Sequence, residues 1–155
     1  MADGELDSVA RAILRELQKD ARQTNKALAE KVGVAPSTCL ERVRELRARG
    51  VIRGFRVDVD PAAVGRPMEA ILSIQQRAVG RQAIDTLLDH AAGLPETVRV
   101  MAVTGTTDFI IHVAVRDMEH LRELVWALTA RPEVARVQSS LVFARAEGPE
   151  LMPLD

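Results

Sequence analysis

Tyrosine is absent from this chain of 155 residues, aromatic rings are limited to three phenylalanines and one tryptophan, and Cys39 is the sole cysteine. A single thiol cannot close an internal disulfide, and His90, His112 and His120 stand at no metal-ligand spacing. Cys39 therefore reads as a small helix residue, and no metal is expected. No apolar run approaches the ~20 residues that span a bilayer, and no apolar leader follows Met1, so a cytoplasmic chain without a membrane partner is expected. A nucleophile beside a base and a phosphate-cradling glycine loop are also missing, which argues for a binding protein with no cofactor rather than an enzyme.

A net charge of −1 taken as a whole disfavours a nucleic-acid partner, but the balance is uneven along the chain. Residues 1–56 hold 12 Lys/Arg against 8 Asp/Glu, net +4, and the remaining 99 hold 9 against 14, net −5. Positive charge is concentrated where a phosphate-facing module would sit.

Within residues 1–56, Leu6, Val9, Ala10, Ile13, Leu14 and Leu17 recur at helical spacing behind Asp7, a plausible N-cap, so a helix is predicted up to Lys19. Thr24 can cap a short second helix that Gly33 ends in a left-handed turn. A third, basic helix follows until Gly50, with Leu40, Val43 and Leu46 expected inward. Its other face carries Ser37, Thr38, Glu41, Arg42, Arg44, Arg47 and Arg49. Three helices so arranged make a helix-turn-helix whose last helix enters the major groove of duplex DNA. Two starts remain open for it. With Pro36 first, both hydroxyls of Ser37 and Thr38 face DNA; with Thr38-Cys39-Leu40-Glu41 as a capping box, Thr38 and Glu41 serve the backbone. Residues 51–59 alternate in apolar character and are expected to pair as the two strands of a wing.

The stretch 57–67, with Pro61, Gly65 and Pro67, is the expected linker between domains. Beyond it, residues 68–76, 97–103, 108–115 and 134–144 read as strands, with helices over 81–92 and 117–129. The order β-α-β-β-α-β over residues 68–146 gives an α+β, ferredoxin-like sandwich with both helices on one face. Ile71, Met101, Val103 and Ile110 are expected on the open face, where an apolar patch would support a homodimer. Residues 147–155 read as a tail, loose or docked on a partner subunit.

Between two of those strands lies Thr104-Gly105-Thr106-Thr107-Asp108-Phe109. As a bare pattern it is a hairpin loop held by local hydrogen bonds. Read as a site, Gly105 permits close approach to the backbone, Thr106 and Thr107 offer hydroxyls and amides to a carboxylate, and Asp108 receives an α-ammonium group. Those are the parts that hold a free amino acid, with Met101, Val103 and Gln138 beside them.

Leu6-Asp7, Ile13-Leu14, Ala21-Arg22, Leu28-Ala29-Glu30-Lys31-Val32-Gly33 and Pro36-Ser37-Thr38-Cys39-Leu40-Glu41-Arg42-Val43-Arg44-Glu45-Leu46, leading to Gly50-Val51-Ile52, together resemble the leucine-responsive/asparagine-regulator (Lrp/AsnC) transcription factors. The resemblance covers nearly the whole chain. It implies that the second half is a RAM domain, which dimerises through its sheets and assembles into higher oligomers such as octameric rings of four dimers. It also implies that the loop through Asp108 matches the family's Gly-x-x-Asp effector loop, with Ser139 and Ser140 aligned to a Thr/Ser pair of the last strand. Ala35 departs from the pattern, since the family commonly has a capping serine there.

The expectation is a sequence-specific DNA-binding regulator whose oligomeric state responds to a small effector, an amino acid. Ser37, Thr38, Glu41 and Arg42 would reach base edges, and Lys26, Arg44, Arg47 and Arg49 would hold phosphates. The alternative is an architectural protein that bridges or wraps DNA with little sequence preference and no effector.

Overall fold

The computed structural model describes residues 6–77, 81–146 and 148–153. The chain forms two compact units, one made by residues up to Val57 and again from Ala146 onward, the other by Asp58–Arg145. Each has its own core.

In the first unit, α1 (Ser8–Lys19), α2 (Asn25–Val32) and α3 (Pro36–Ala48) follow one another with short turns. Their starts are set by side chains that satisfy otherwise orphaned amides. The Ala10 N–H donates to the Asp7 carboxylate at 2.8 Å, and the Ala27 N–H to the Thr24 hydroxyl at 3.2 Å. α3 begins at Pro36 behind Ala35, which makes no side-chain cap, so the capping-box alternative at Thr38 does not form. A tie to α2 is present instead: the Asn25 side-chain amide donates to the Pro36 carbonyl at 2.7 Å.

Gly33 ends α2 at φ +72°, with the Val34 N–H returning to the Ala29 carbonyl at 3.0 Å. A Cβ there would meet no atom within 4 Å, so the cost of a side chain is the left-handed backbone alone. Gly33→Ala is therefore expected to destabilise this unit by about 1 kcal/mol, seen as a lowering of Tm by roughly 4–8 °C in thermal unfolding. An unchanged Tm would contradict the left-handed turn.

The core of this unit joins Ala10 and Ile13, Leu28 and Ala29, and Cys39 and Leu46. Here the structure corrects the expected inward set, because Cys39 is fully buried and Leu40 is 40% exposed. Positions 39, 43 and 46 satisfy the helical repeat as well as 40, 43 and 46, and packing selects the smaller side chain. Burial pushes the Cys39 thiol pKa up, which disfavours a reactive thiolate.

The expected wing is also corrected, since residues 53–60 contain no strand. A two-stranded hairpin is marginal unless its apolar face is covered. Phe55, Val57 and Val59 are all exposed, so nothing among the described residues covers one. The tail returns to its own chain rather than lying loose. The Leu151 N–H donates to Gln18 Oε1 at 2.8 Å, and Gln18 Nε2 donates to the Leu151 carbonyl at 3.1 Å. Of the tail, residues 147, 154 and 155 lie outside the described residues.

The second unit runs β1 (Met68–Gln76), α4 (Arg81–Gly93), β2 (Thr97–Ala102), β3 (Phe109–Val115), α5 (Met118–Thr129) and β4 (Val134–Leu141). The strands form one antiparallel sheet in the order β2-β3-β1-β4. Side chains alternate between faces. Ala70, Leu72 and Ile74 of β1 and Phe109, Ile111, Val113 and Val115 of β3 meet Leu87 and Ala91 of α4 and Leu121, Leu124 and Leu128 of α5. Both helices thus cover one face, as expected of this element order.

The other face departs from the apolar patch expected of it. Cross-strand partners lie on the same face, which gives one row Met101, Ile110, Ser73 and Gln138, and a second Arg99, His112, Ile71 and Ser140. Apolar and polar side chains are mixed. Val103 lies beyond the end of β2 and joins neither row. His112 Nε2 stands 2.8 Å from Glu69 Oε2 without hydrogen-bond geometry, and Arg145 reaches the same carboxylate oxygen at 3.3 Å.

Candidate DNA-reading helix and effector loop

At 3.6 residues per turn, Ser37, Glu41, Arg44 and Ala48 line up along the side of α3 opposite Cys39 and Leu46. Ser37, Glu41 and Arg44 are exposed, as is Lys26 in the first turn of α2. The two flanks of this line differ in charge.

On one flank, Arg44 and Arg47 combine with Arg53, Ala48 and Ile52 to line a recess of about 400 Å³. No acidic residue lines it, and these three arginines make no ion pair among the described residues. Three uncompensated guanidinium groups around one concavity offer forked N–H donors of the kind that suit phosphate or base acceptors.

The opposite flank is neutralised from within. Arg42 reaches Asp7 Oδ2 at 3.1 Å and Glu45 Oε2 at 3.3 Å, and Arg49 lies 3.7 Å from Glu45 Oε1. Arg42 is thereby turned towards the start of α1, away from the outward line expected of it. Thr38 precedes it by one turn on the same flank. Asp7 acts twice, as the cap of α1 and as the partner of Arg42. Sequence reasoning missed this second role, which follows from packing between elements far apart in the chain, and missed Arg53, which the turn after α3 brings back beside Arg44 and Arg47.

In the second unit the loop after β2 is tied to the end of β1. The Asp108 N–H donates to the Ile74 carbonyl at 2.9 Å, and the Val103 N–H to the Asp108 carbonyl at 2.9 Å. The Asp108 carboxylate accepts from the Gln76 N–H at 2.7 Å, and the Gln75 amide donates to the Thr106 carbonyl. A register shift between Gln75 and Gln76 against β4 marks this end of β1 as irregular, as strands commonly are beside binding loops. Gly105, at φ +118°, holds a conformation that an L side chain would strain. Thr104 and Thr106 are exposed, and Thr107 and Asp108 are half-buried.

The remaining candidates fall elsewhere. Met101 opposes Ile110 on the open face of the sheet. Ser139 opposes Leu72 on the helix-covered side, and Ser140 opposes Ile71 on the open side, so the two hydroxyls cannot point at one ligand from the same face. Strand β1 also separates β4 from the loop's strand β3, a distance of roughly 10 Å across two strand spacings. One chain therefore gathers the loop residues 103–108 with Gln75 and Gln76, but not the serines.

Residues 6–53 match the family model described as winged helix-turn-helix DNA-binding, and residues 69–149 match the one described as the Lrp/AsnC ligand binding domain. This chain belongs to the Lrp/AsnC family of transcriptional regulators. The regulator is similar to the HTH-type transcriptional regulator AldR of Mycolicibacterium smegmatis, at 46% identity over 93% of this chain and 85% of AldR. Among solved structures, AldR of Mycobacterium tuberculosis superposes with a TM-score of 0.75 at 40% identity, covering 92% of this chain and 97% of that one. A transcriptional regulator from Neisseria meningitidis, solved as a complex with L-Met, superposes with a TM-score of 0.87 at 28% identity, covering 97% and 98%. The Lrp/AsnC regulator thus pairs a DNA-binding helix-turn-helix with a domain for a small-molecule ligand, and its relatives are regulators rather than enzymes. No helix among its described residues is long and apolar enough to cross a membrane.

Proposed function

We propose that this regulator reads a pseudo-palindromic DNA site through α3 of paired copies in the cytoplasm, and that a free amino acid bound at residues 103–108 shifts its assembly. The carrying observation is the division of charge on α3, with Arg44, Arg47 and Arg53 uncompensated on one flank and Arg42 and Arg49 paired on the other. Ser37, Glu41 and Arg44 meet base edges, while Arg47, Arg53 and Lys26 hold phosphates. Arg42 braces α3 against α1. Thr38 and Arg49, on the braced flank, approach the DNA backbone from the side. A homodimer places its reading helices about one helical turn of DNA apart, ~34–36 Å or a multiple of it. Dimers assemble further, with an octamer as one such closed form.

For the effector, the second oxygen of Asp108 takes the ammonium group, and the amides and hydroxyls of Thr106 and Thr107 take the carboxylate. Met101 and Val103 lie beside them, and Ser139 or Ser140 completes the site from a neighbouring copy. The L-Met complex of the Neisseria meningitidis relative supports an amino acid as the class of ligand. Such a ligand shifts assembly only through a difference in affinity between the assembled and unassembled states.

The test is a thermal-shift screen of the twenty amino acids with sedimentation of the same samples. A binding amino acid at a hundred times its Kd is expected to stabilise the protein by about 2.7 kcal/mol and to change the sedimentation coefficient. If no amino acid raises the Tm, the effector reading falls and the architectural alternative gains.

A further inference from the structure

Leu40 is the large apolar residue of α3 that the core leaves out. Its side chain is 40% exposed, and it belongs neither to the buried cluster of Ile13, Leu28, Cys39 and Leu46 nor to the residues packed around it. On the helix it follows Ser37 by three positions and precedes Arg44 by four, so it flanks the outward polar line within reach of both. A leucine left 40% exposed beside Ser37 and Arg44 keeps part of its apolar surface in water, and burial of that part is gained only when something apolar meets it.

The major groove offers one such group. Base edges there are donors and acceptors except for the C5-methyl of thymine. We infer that Leu40 is a specificity-determining residue that packs on a thymine methyl at one position of each half-site, next to the contact made by Arg44. This rests on α3 being the helix that enters the groove. Leucine has neither donor nor acceptor, so it distinguishes the base by the methyl alone. Glu41, about 100° further round the helix, addresses a different base.

The experiment uses the full-length protein and a duplex site enriched with it from random DNA. Each thymine is replaced in turn by deoxyuridine, which removes one methyl and leaves every hydrogen-bonding group in place. One thymine per half-site is expected to show about fourfold weaker binding on replacement, the size of one buried methyl group. Leu40→Ala, shown to be folded by a cooperative thermal transition, is expected to bind the thymine and uracil duplexes equally, and Leu40→Met to keep the preference. Uracil tolerated at every position, an enriched site without a required thymine, or a Leu40→Ala variant as sensitive as the parent would each overturn the inference while leaving DNA reading by α3 intact. Failure to enrich any sequence would overturn both.

Discussion

Replacing Arg44 and Arg47 together by alanine is expected to weaken DNA binding by at least a hundredfold, since each charge-assisted hydrogen bond is worth about 1.5–3 kcal/mol. The dependence of log K on log salt should flatten by about 0.9 per reading helix, for the one phosphate that Arg47 no longer neutralises. Arg44, which meets a base edge, contributes to specificity rather than to that slope, so the single variants separate the two roles. Arg47→Ala should weaken operator and random duplexes alike, and Arg44→Ala should weaken the operator more. Arg42→Ala provides the contrast. It removes the ion pairs to Asp7 and Glu45 at 3.1 and 3.3 Å, exposed pairs of the kind worth roughly 0–1 kcal/mol, and should leave the salt slope unchanged. A slope flattened as much by Arg42→Ala as by the double variant would reverse the assignment of the two flanks. Titration of a labelled duplex at four salt concentrations measures all of these quantities.

The second large effect concerns Asp108, where two substitutions separate structure from recognition. Asp108→Asn keeps an acceptor for the Gln76 N–H, which now donates to the carboxylate at 2.7 Å, and removes the charge that attracts an ammonium group. Its Tm should stay within a few degrees of the parent, while affinity for the effector falls about tenfold or more, as for loss of a charge-assisted bond worth roughly 1.5–3 kcal/mol. Asp108→Ala loses the acceptor as well and leaves a half-buried amide unsatisfied, at about 1–3 kcal/mol. Calorimetric titration with the amino acid identified by the thermal screen distinguishes the cases. Full affinity in Asp108→Asn would remove the carboxylate from the ligand site.

The difference between those two variants is not visible in the sequence. A Thr-Gly-Thr-Thr-Asp run can be recognised as a loop, but Gln75 and Gln76 become its partners only through the pairing of β1 with β3, which depends on register. Strand and helix positions are legible because they rest on local periodicity. Asp7 and Thr24 cap the helices they precede, and β1 occupies the expected residues 68–76. Legibility ends where two patterns fit equally well, as with Cys39 and Leu40, or where a pattern has no surface to bury, as in residues 53–60. The serines mark another limit. Neighbours in sequence suggest a pair, but consecutive strand residues face opposite ways, and only the cross-strand partners Leu72 and Ile71 show that Ser139 and Ser140 are divided.

The hydrogen bonds between Gln18 and Leu151 make the boundary between the units one that the chain crosses twice, after Val57 and again before Ala146. In topological terms the ligand-binding unit is an insertion within the DNA-binding one. A chimera that exchanges effector domains among relatives therefore needs two junctions. A fragment cut once after Val57 would carry all three helices but leave Gln18 of α1 without the backbone it holds.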